Sequence, residues 1–167
     1  MSDAVTLSVV WQQTSSELTA EIKQYWLDEG LVSSDVADQR ADQVVVVARN
    51  SDNSLVALSS IEAHFSRRFQ NYFYLFRTSV SRRAGGQLLS NQLLNTTYQE
   101  LNNRYSSELD SPIGIMAVIE NKHLARLYYQ AVGARSQMFF AGYNANGQQI
   151  RLRYFEGATI RPLTTEK

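Results

Sequence analysis

The chain has no cysteine, which removes disulfides, thiolate metal sites and a cysteine nucleophile at once. Histidine is scarce, with only His64 and His123, so a multi-histidine metal site is not expected. Sixteen basic residues balance sixteen acidic ones, leaving no global field to attract nucleic acid or an anionic membrane. No segment approaches the roughly 18 consecutive apolar residues that a membrane span needs. The first residues carry no basic stretch followed by an apolar one, so a soluble cytoplasmic protein is expected. What is present is ordinary: 167 residues, 44% apolar and 19% charged, enough for one self-sufficient core.

Periodicity divides the chain into short elements. Val5 to Trp11 alternates as a first strand. Thr14-Ser15-Ser16-Glu17 has capping-box spacing, with Thr14 as N-cap, and Leu18, Ile22, Tyr25 and Trp26 then recur on one helical face until Gly30. Residues 32–43 are polar and read as a second short helix or a loop. Val44 to Ala48 and Leu55 to Phe65 flank a turn cluster and predict a β-hairpin. Arg67-Arg68 fall in the next turn, and Gln70 to Val80 forms a third long strand rich in aromatics. Leu88, Leu89, Leu93, Leu94, Tyr98 and Leu101 mark an amphipathic helix, and Ile113 to Ile119 a buried strand. Within Glu120 to Ala134 the sequence reads as a short helix entered through Asn121 as N-cap and left through Gly133 at the C′ position. Gln137 to Tyr143 and Gln148 to Phe155 form a last hairpin around Asn146-Gly147. The order β-α-(α)-β-β-β-α-β-α-β-β predicts an α/β (α+β) fold in which helices flank a mixed, mostly antiparallel sheet. One domain over residues 1–167 is expected, with 156–167 as a tail.

Two strings carry chemistry. Ser81-Arg82-Arg83-Ala84-Gly85-Gly86-Gln87 lies between a strand and an amphipathic helix. Unpaired amides and the positive end of the helix dipole converge there, a ready anion site, and glycines allow close approach. The other reading is a glycine turn with solvated arginines. Glu120-Asn121-Lys122-His123-Leu124-Ala125-Arg126-Leu127-Tyr128-Tyr129-Gln130-Ala131-Val132-Gly133 is the second string. It could place one or two tyrosines on an inner helix face, or simply pack them.

A strand, an Asn-capped helix with tyrosine near its end, a glycine exit and a further strand together resemble the C-terminal half of the GNAT superfamily of acyl-CoA N-acyltransferases. The resemblance spans roughly Val44 to Phe155. It implies acetyl-CoA as cosubstrate, no metal, and transfer of an acyl group to an amine. It also implies that Arg82, Arg83, Ala84, Gly85, Gly86 and Gln87 hold the coenzyme A pyrophosphate. Two registers of the family loop, Arg/Gln-x-x-Gly-x-Gly/Ala, fit. Ala84-x-Gly86 keeps the small residues but puts Ser81 at the Arg/Gln position; Arg82-x-x-Gly85 keeps the arginine but puts Gln87 where Gly or Ala belongs. By position, a main-chain amide at Phe76 or its neighbours Leu75 and Arg77 would bind the acyl carbonyl, with Thr78 further along the same cofactor-binding strand. Asn121 would cap its helix and touch the pantetheine.

In the same resemblance the general acid is Tyr129 or Tyr128, because the motif Asn-x-x-Ala-x-x-Leu-Tyr-x-x-x-Gly is here one residue too long. Counting back from Gly133 selects Tyr129 and counting forward from Asn121 selects Tyr128; Tyr129 is preferred, because the helix exit fixes the Tyr-to-Gly interval while the entry can absorb a residue. Glu62 shares a strand face with His64 and is the candidate base through a water; a solvated carboxylate is its plainer role. Acyl-CoA and an amine acceptor are the implied partners, with no nucleic acid and no membrane, and a homodimer stays open. The acceptor would be set by residues 26–43 and 65–70, which carry no recognised signature. Two rivals remain: a GNAT-fold protein that binds acyl-CoA without catalysis, and an aromatic RNA platform on Tyr72-Phe73-Tyr74-Leu75-Phe76. Alternation splits those rings between two faces and weakens the second.

Overall fold

In the computed structural model, residues 4–163 are described. The strands are β1 (Thr6–Val9), β2 (Val44–Arg49), β3 (Leu55–Ser66), β4 (Asn71–Val80), β5 (Gly114–Ile119), β6 (Phe139–Tyr143) and β7 (Gln149–Tyr154), and the helices are α1 (Ser16–Asp28), α2 (Ser34–Arg40), α3 (Gly86–Asn103) and α4 (Lys122–Leu127). A single 3-10 turn, Ala41–Gln43, joins α2 to β2. The seven-stranded sheet has the order β1-β2-β3-β4-β5-β7-β6. Pairing is parallel at β4–β5 and antiparallel at β1–β2, β2–β3, β5–β7 and β6–β7. This is the expected mixed, mostly antiparallel sheet with flanking helices. No described helix is long and apolar enough to cross a membrane.

The chain forms two compact units, residues 1–61 with 77–97 and residues 62–76 with 98–167. In the first, α1 turns Ile22, Tyr25 and Trp26 inward at helical spacing, and they meet Val44, Val47, Leu58, Ala37 and Ala41 in one core. Val44 to Ala48 is buried throughout, as a continuous valine run should be when both faces of a strand are covered. Within that interior Ser59 and Thr97, both fully buried, satisfy each other with a hydroxyl–hydroxyl bond of 2.7 Å. The cap of α1 differs from expectation by one residue. Ser15, not Thr14, is the N-cap, accepting from the Leu18 amide at 3.1 Å. A hydroxyl reaches the N3 amide from either position once the chain turns, so the local string alone leaves a one-residue ambiguity.

In the second unit Phe73, Ile113, Met116, Ile150 and Leu152 form the core, with Leu75, Tyr105 and Phe139 packed on it. Phe155 gathers the rings of Tyr74, Tyr98 and Tyr105 at centroid distances of 6.3, 5.7 and 5.7 Å. Tyr72 tilts against Phe65 at 5.0 Å, so Tyr72, Phe73 and Tyr74 of β4 are spent on packing. Residues 156–163, read from sequence as tail, are tied down: the Glu156 amide donates to Asn102 Oδ1 at 2.8 Å and the Arg161 amide to Asn71 Oδ1 at 2.6 Å. Residues 164–167 of that stretch lie outside the described residues.

The largest difference from the sequence reading is α4. It ends at Leu127 rather than running on to Gly133, and Tyr128 is its C-cap with φ −90° and ψ 63°. Gly133 is not a left-handed C′ residue. Its amide donates to the Met138 carbonyl at 2.9 Å, and a Cβ there would collide with Ser136 Oγ. The reason is competition for the backbone: the Phe140 amide takes the Ala131 carbonyl at 2.7 Å and Val132 bridges to Phe139, drawing residues 131–132 toward the sheet.

Candidate active site

In the first unit, β4 leaves the sheet at Ser81. Its amide donates to the Val56 carbonyl at 2.8 Å, its hydroxyl donates to Glu29 Oε1 at 2.8 Å, and its carbonyl accepts from the Ala84 amide at 3.0 Å. The turn thus closes on the protein side. Gly85 (φ +80°) and Gly86 (φ +30°) then swing the chain into α3. A Cβ on either would meet nothing within 4 Å, so these glycines answer a backbone demand and face open space. Among the described residues, no side chain caps the amides of Gly85, Gly86 or Gln87. Those amides sit at the head of an 18-residue helix, where the dipole favours an anion. Arg82 and Arg83 are exposed beside them, while Ser81 is buried and turned to Glu29. Arg77 is half-buried and Thr78 exposed on the β4 stretch of this unit.

In the second unit the parallel ladder between β4 and β5 is short. Tyr74 pairs with Ile115 and Leu75 with Met116, whereas β7 pairs along the whole of β5, from Gly114 to Ile119. Phe76 is therefore the first β4 residue beyond the ladder, half-buried like Leu75. Glu62 and His64 are exposed on β3, Glu120 is exposed after β5, and His123 is exposed in the first turn of α4. Among the described residues no cluster of three or more His, Asp or Glu could hold a metal.

Asn121 caps α4 as its position suggests: its Oδ1 accepts from the amides of His123 at 2.8 Å and Leu124 at 3.2 Å. The early end of the helix separates the two tyrosines. Tyr129 is 82% exposed, whereas Tyr128 is half-buried. Burial pushes the Tyr128 hydroxyl above its ordinary pKa, and the nearby Arg151 cation opposes the shift.

Two residues on β7 escaped the sequence reading. Arg151, 3% exposed, donates from Nη2 to the Tyr128 carbonyl and from Nη1 to the Gln130 carbonyl, both at 2.7 Å. Gln149 donates to the Ala125 carbonyl at 3.1 Å and accepts from Arg151 Nε at 3.2 Å. Alternation along Gln149-Ile150-Arg151-Leu152 places both on the polar face, which reads as solvent; no sequence signal distinguishes a buried arginine there. Burial lowers the Arg151 pKa, while Tyr128 and Tyr143 favour its charge.

The chain matches no known family profile. No curated protein sequence matches it either. Solved structures do. A phosphinothricin acetyltransferase of the GNAT superfamily from Sinorhizobium meliloti, in complex with AcCoA, superposes with a TM-score of 0.60 at 15% identity, covering 99% of this chain and 95% of that one. A GNAT-family N-acetyltransferase from Escherichia coli in complex with CoA gives 0.55 at 11% identity, covering 95% and 97%. A GNAT-family acetyltransferase from Brucella melitensis in complex with acetyl-CoA gives 0.54 at 10% identity, covering 94% and 92%. The chain therefore has the fold of the GNAT acetyltransferases.

Proposed function

We propose that this protein is an N-acyltransferase that moves an acetyl group from acetyl-CoA to a primary amine. The observation that carries the reading is the uncapped amide turn at Gly85-Gly86-Gln87, heading an 18-residue helix in a GNAT fold. The residues suit the group: open main-chain donors for a pyrophosphate, flanking Arg82 and Arg83 for its charge, and glycines at positive φ with open space beside them. The AcCoA and CoA bound to structural neighbours add support.

Each unit has its own roles. In the first, Arg82 to Gln87 bind phosphate, with Arg77 and Thr78 on the strand leading to them. In the second, the amide of Phe76, the first past the β4–β5 ladder, donates to the acyl carbonyl oxygen, where charge develops as the amine attacks. The amine nitrogen forms a bond to the carbonyl carbon and the carbon–sulfur bond breaks. The departing thiolate takes the Tyr128 hydroxyl proton, and the proton shed by the amine passes to solvent, with Glu62 as candidate relay. Tyr128 suits the role better than Tyr129, because its side chain is half-buried and its main chain is held by Arg151, while Tyr129 points into water. Asn121 holds α4 in place through its cap.

The test is a thermal-shift titration with acetyl-CoA, CoA and ATP, followed by thiol release in the presence of a panel of amines. Acetyl-CoA at 100 times its dissociation constant should stabilise the fold by about 2.7 kcal/mol. No shift with either CoA species removes the reading. A shift without thiol release from any amine would favour the second reading, a GNAT-fold protein that binds acyl-CoA without turnover. That reading draws on Ser81, which in one register of the family loop stands where Arg or Gln belongs and which spends its hydroxyl on Glu29.

A further inference from the structure

Helix α4 buries none of its residues; Leu124 and Leu127 are 38% and 43% exposed. Apolar packing therefore does little to hold the segment that carries Tyr128. A polar clasp from β7 takes its place. Gln149 holds the Ala125 carbonyl, and Arg151 holds the carbonyls of Tyr128 and Gln130, so three of the main-chain acceptors released where the helix stops are satisfied by two side chains. The Arg151–Gln149 bond links the two into one unit. The guanidinium carbon also lies 5.7 Å from the centroid of the Tyr128 ring, within cation–π reach.

Arg151 is buried with no carboxylate among its described partners. An arginine removed from water without an anion is costly unless its donors are filled, and here carbonyls and a ring fill them. A lysine could not: one ammonium lacks the fork that spans two carbonyls two residues apart. The other ionisable group facing it is Tyr143, on β6.

We infer that Arg151 is a positioning residue, which fixes the main chain at residues 128–130 and thereby aims the Tyr128 side chain. The inference rests on the reading of Tyr128 as the proton donor, but its structural half stands apart from that reading. The experiment compares wild type, Arg151→Lys, Arg151→Gln, Tyr128→Phe and the Tyr128→Phe/Arg151→Lys double variant. Hydrogen–deuterium exchange, thermal melting, the acetyl-CoA shift and steady-state kinetics are measured on each.

Peptides covering residues 124–131 should exchange at least tenfold faster in both Arg151 variants, with protection of β5 and β7 retained. The lysine variant should lose at least tenfold in kcat with KM for acetyl-CoA within twofold, and should lose nothing further once Tyr128 is phenylalanine. Unchanged protection of 124–131 would overturn the clasp, whether or not the protein turns over. An equal kcat loss in the Tyr128→Phe background would overturn the link to that residue and leave Arg151 merely structural. Absence of an acetyl-CoA shift in wild type would instead sink the transferase reading, with the exchange result still deciding the clasp.

Discussion

The Tyr25 hydroxyl is shared between two main-chain carbonyls, those of Ser79 and Val56, at 3.2 Å each. Its neighbour Trp26 donates its indole N–H to Ser79 Oγ at 3.0 Å. With the Glu29–Ser81 bond, the C-terminal turn of α1 therefore grips the end of β4 immediately before the Gly85-Gly86 turn.

That grip predicts an alkaline weakness. Burial, with the Glu29 charge adding to it, pushes the Tyr25 hydroxyl well above the ordinary tyrosine value. Above pH about 10 the unfolded chain gives up this proton while the native state keeps it. The native state then binds more protons, and stability falls as pH rises. Tyr25→Phe should cost about 1 kcal/mol at pH 7, from the carbonyls left without their donor, and should flatten the decline above pH 10. Urea unfolding across that range checks both; parallel curves for the two proteins would refute the linkage.

Separate substitutions at the two tyrosines should part company. Tyr128→Phe should lower kcat by about a hundredfold or more, the usual worth of a positioned general acid. Tyr129→Phe should stay within twofold, since that side chain is 82% exposed. The acetyl-CoA thermal shift should survive in both. A larger loss at Tyr129 would reverse the assignment.

At Gly85 the demand is conformational, because φ is +80° and the space beyond is open. Gly85→Ala should cost about 1 kcal/mol of stability and also weaken acetyl-CoA binding several-fold. Gly30→Ala is the control: φ is +63°, space is again open, and the position follows α1. It should cost similar stability and leave the acetyl-CoA midpoint alone. Equal effects of both on binding would remove the special status of the turn.

Glu21 and Arg49 form a two-pronged pair at 2.5 and 2.6 Å. The hydrogen bonds from Arg49 hold the Glu21 carboxyl below its ordinary range. Its stabilising effect is thus present above the unfolded carboxylate pKa, about 4.3, and fades as pH falls through the depressed native value. Both side chains are partly in water, Glu21 at 40% and Arg49 at 24% exposure, so Glu21→Gln should cost no more than about 1 kcal/mol at pH 7. The gap between variant and wild type should close in acid. A gap that widens there would contradict the sign.

Much of the fold was legible because its signals are local. Ile22, Tyr25 and Trp26 share a helix face whatever they pack on, and Val44 to Ala48 could only be a covered strand. The turn at Gly85-Gly86 was visible for the same reason, since positive φ selects glycine from within the chain. The cap of α1 shows the limit of local reading: Thr14 and Ser15 offer the same hydroxyl, and only the path of the chain chose Ser15.

The far end of α4 belonged to another kind of information. Its residues could have continued as helix through Val132, and Gly133 looked like a helix exit. The helix stops at Leu127 because carbonyls that a longer helix would have satisfied are taken by Arg151 and by the Phe140 amide, groups 9 to 23 residues away. Sequence by itself determined the order of elements and the glycine turn, since both follow from spacing and backbone sterics. Which tyrosine is sheltered, and what holds it, was decided by tertiary structure alone: a buried hydrogen bond between distant residues leaves no periodic trace, and a strand's alternation makes a clasping arginine look like a solvated one.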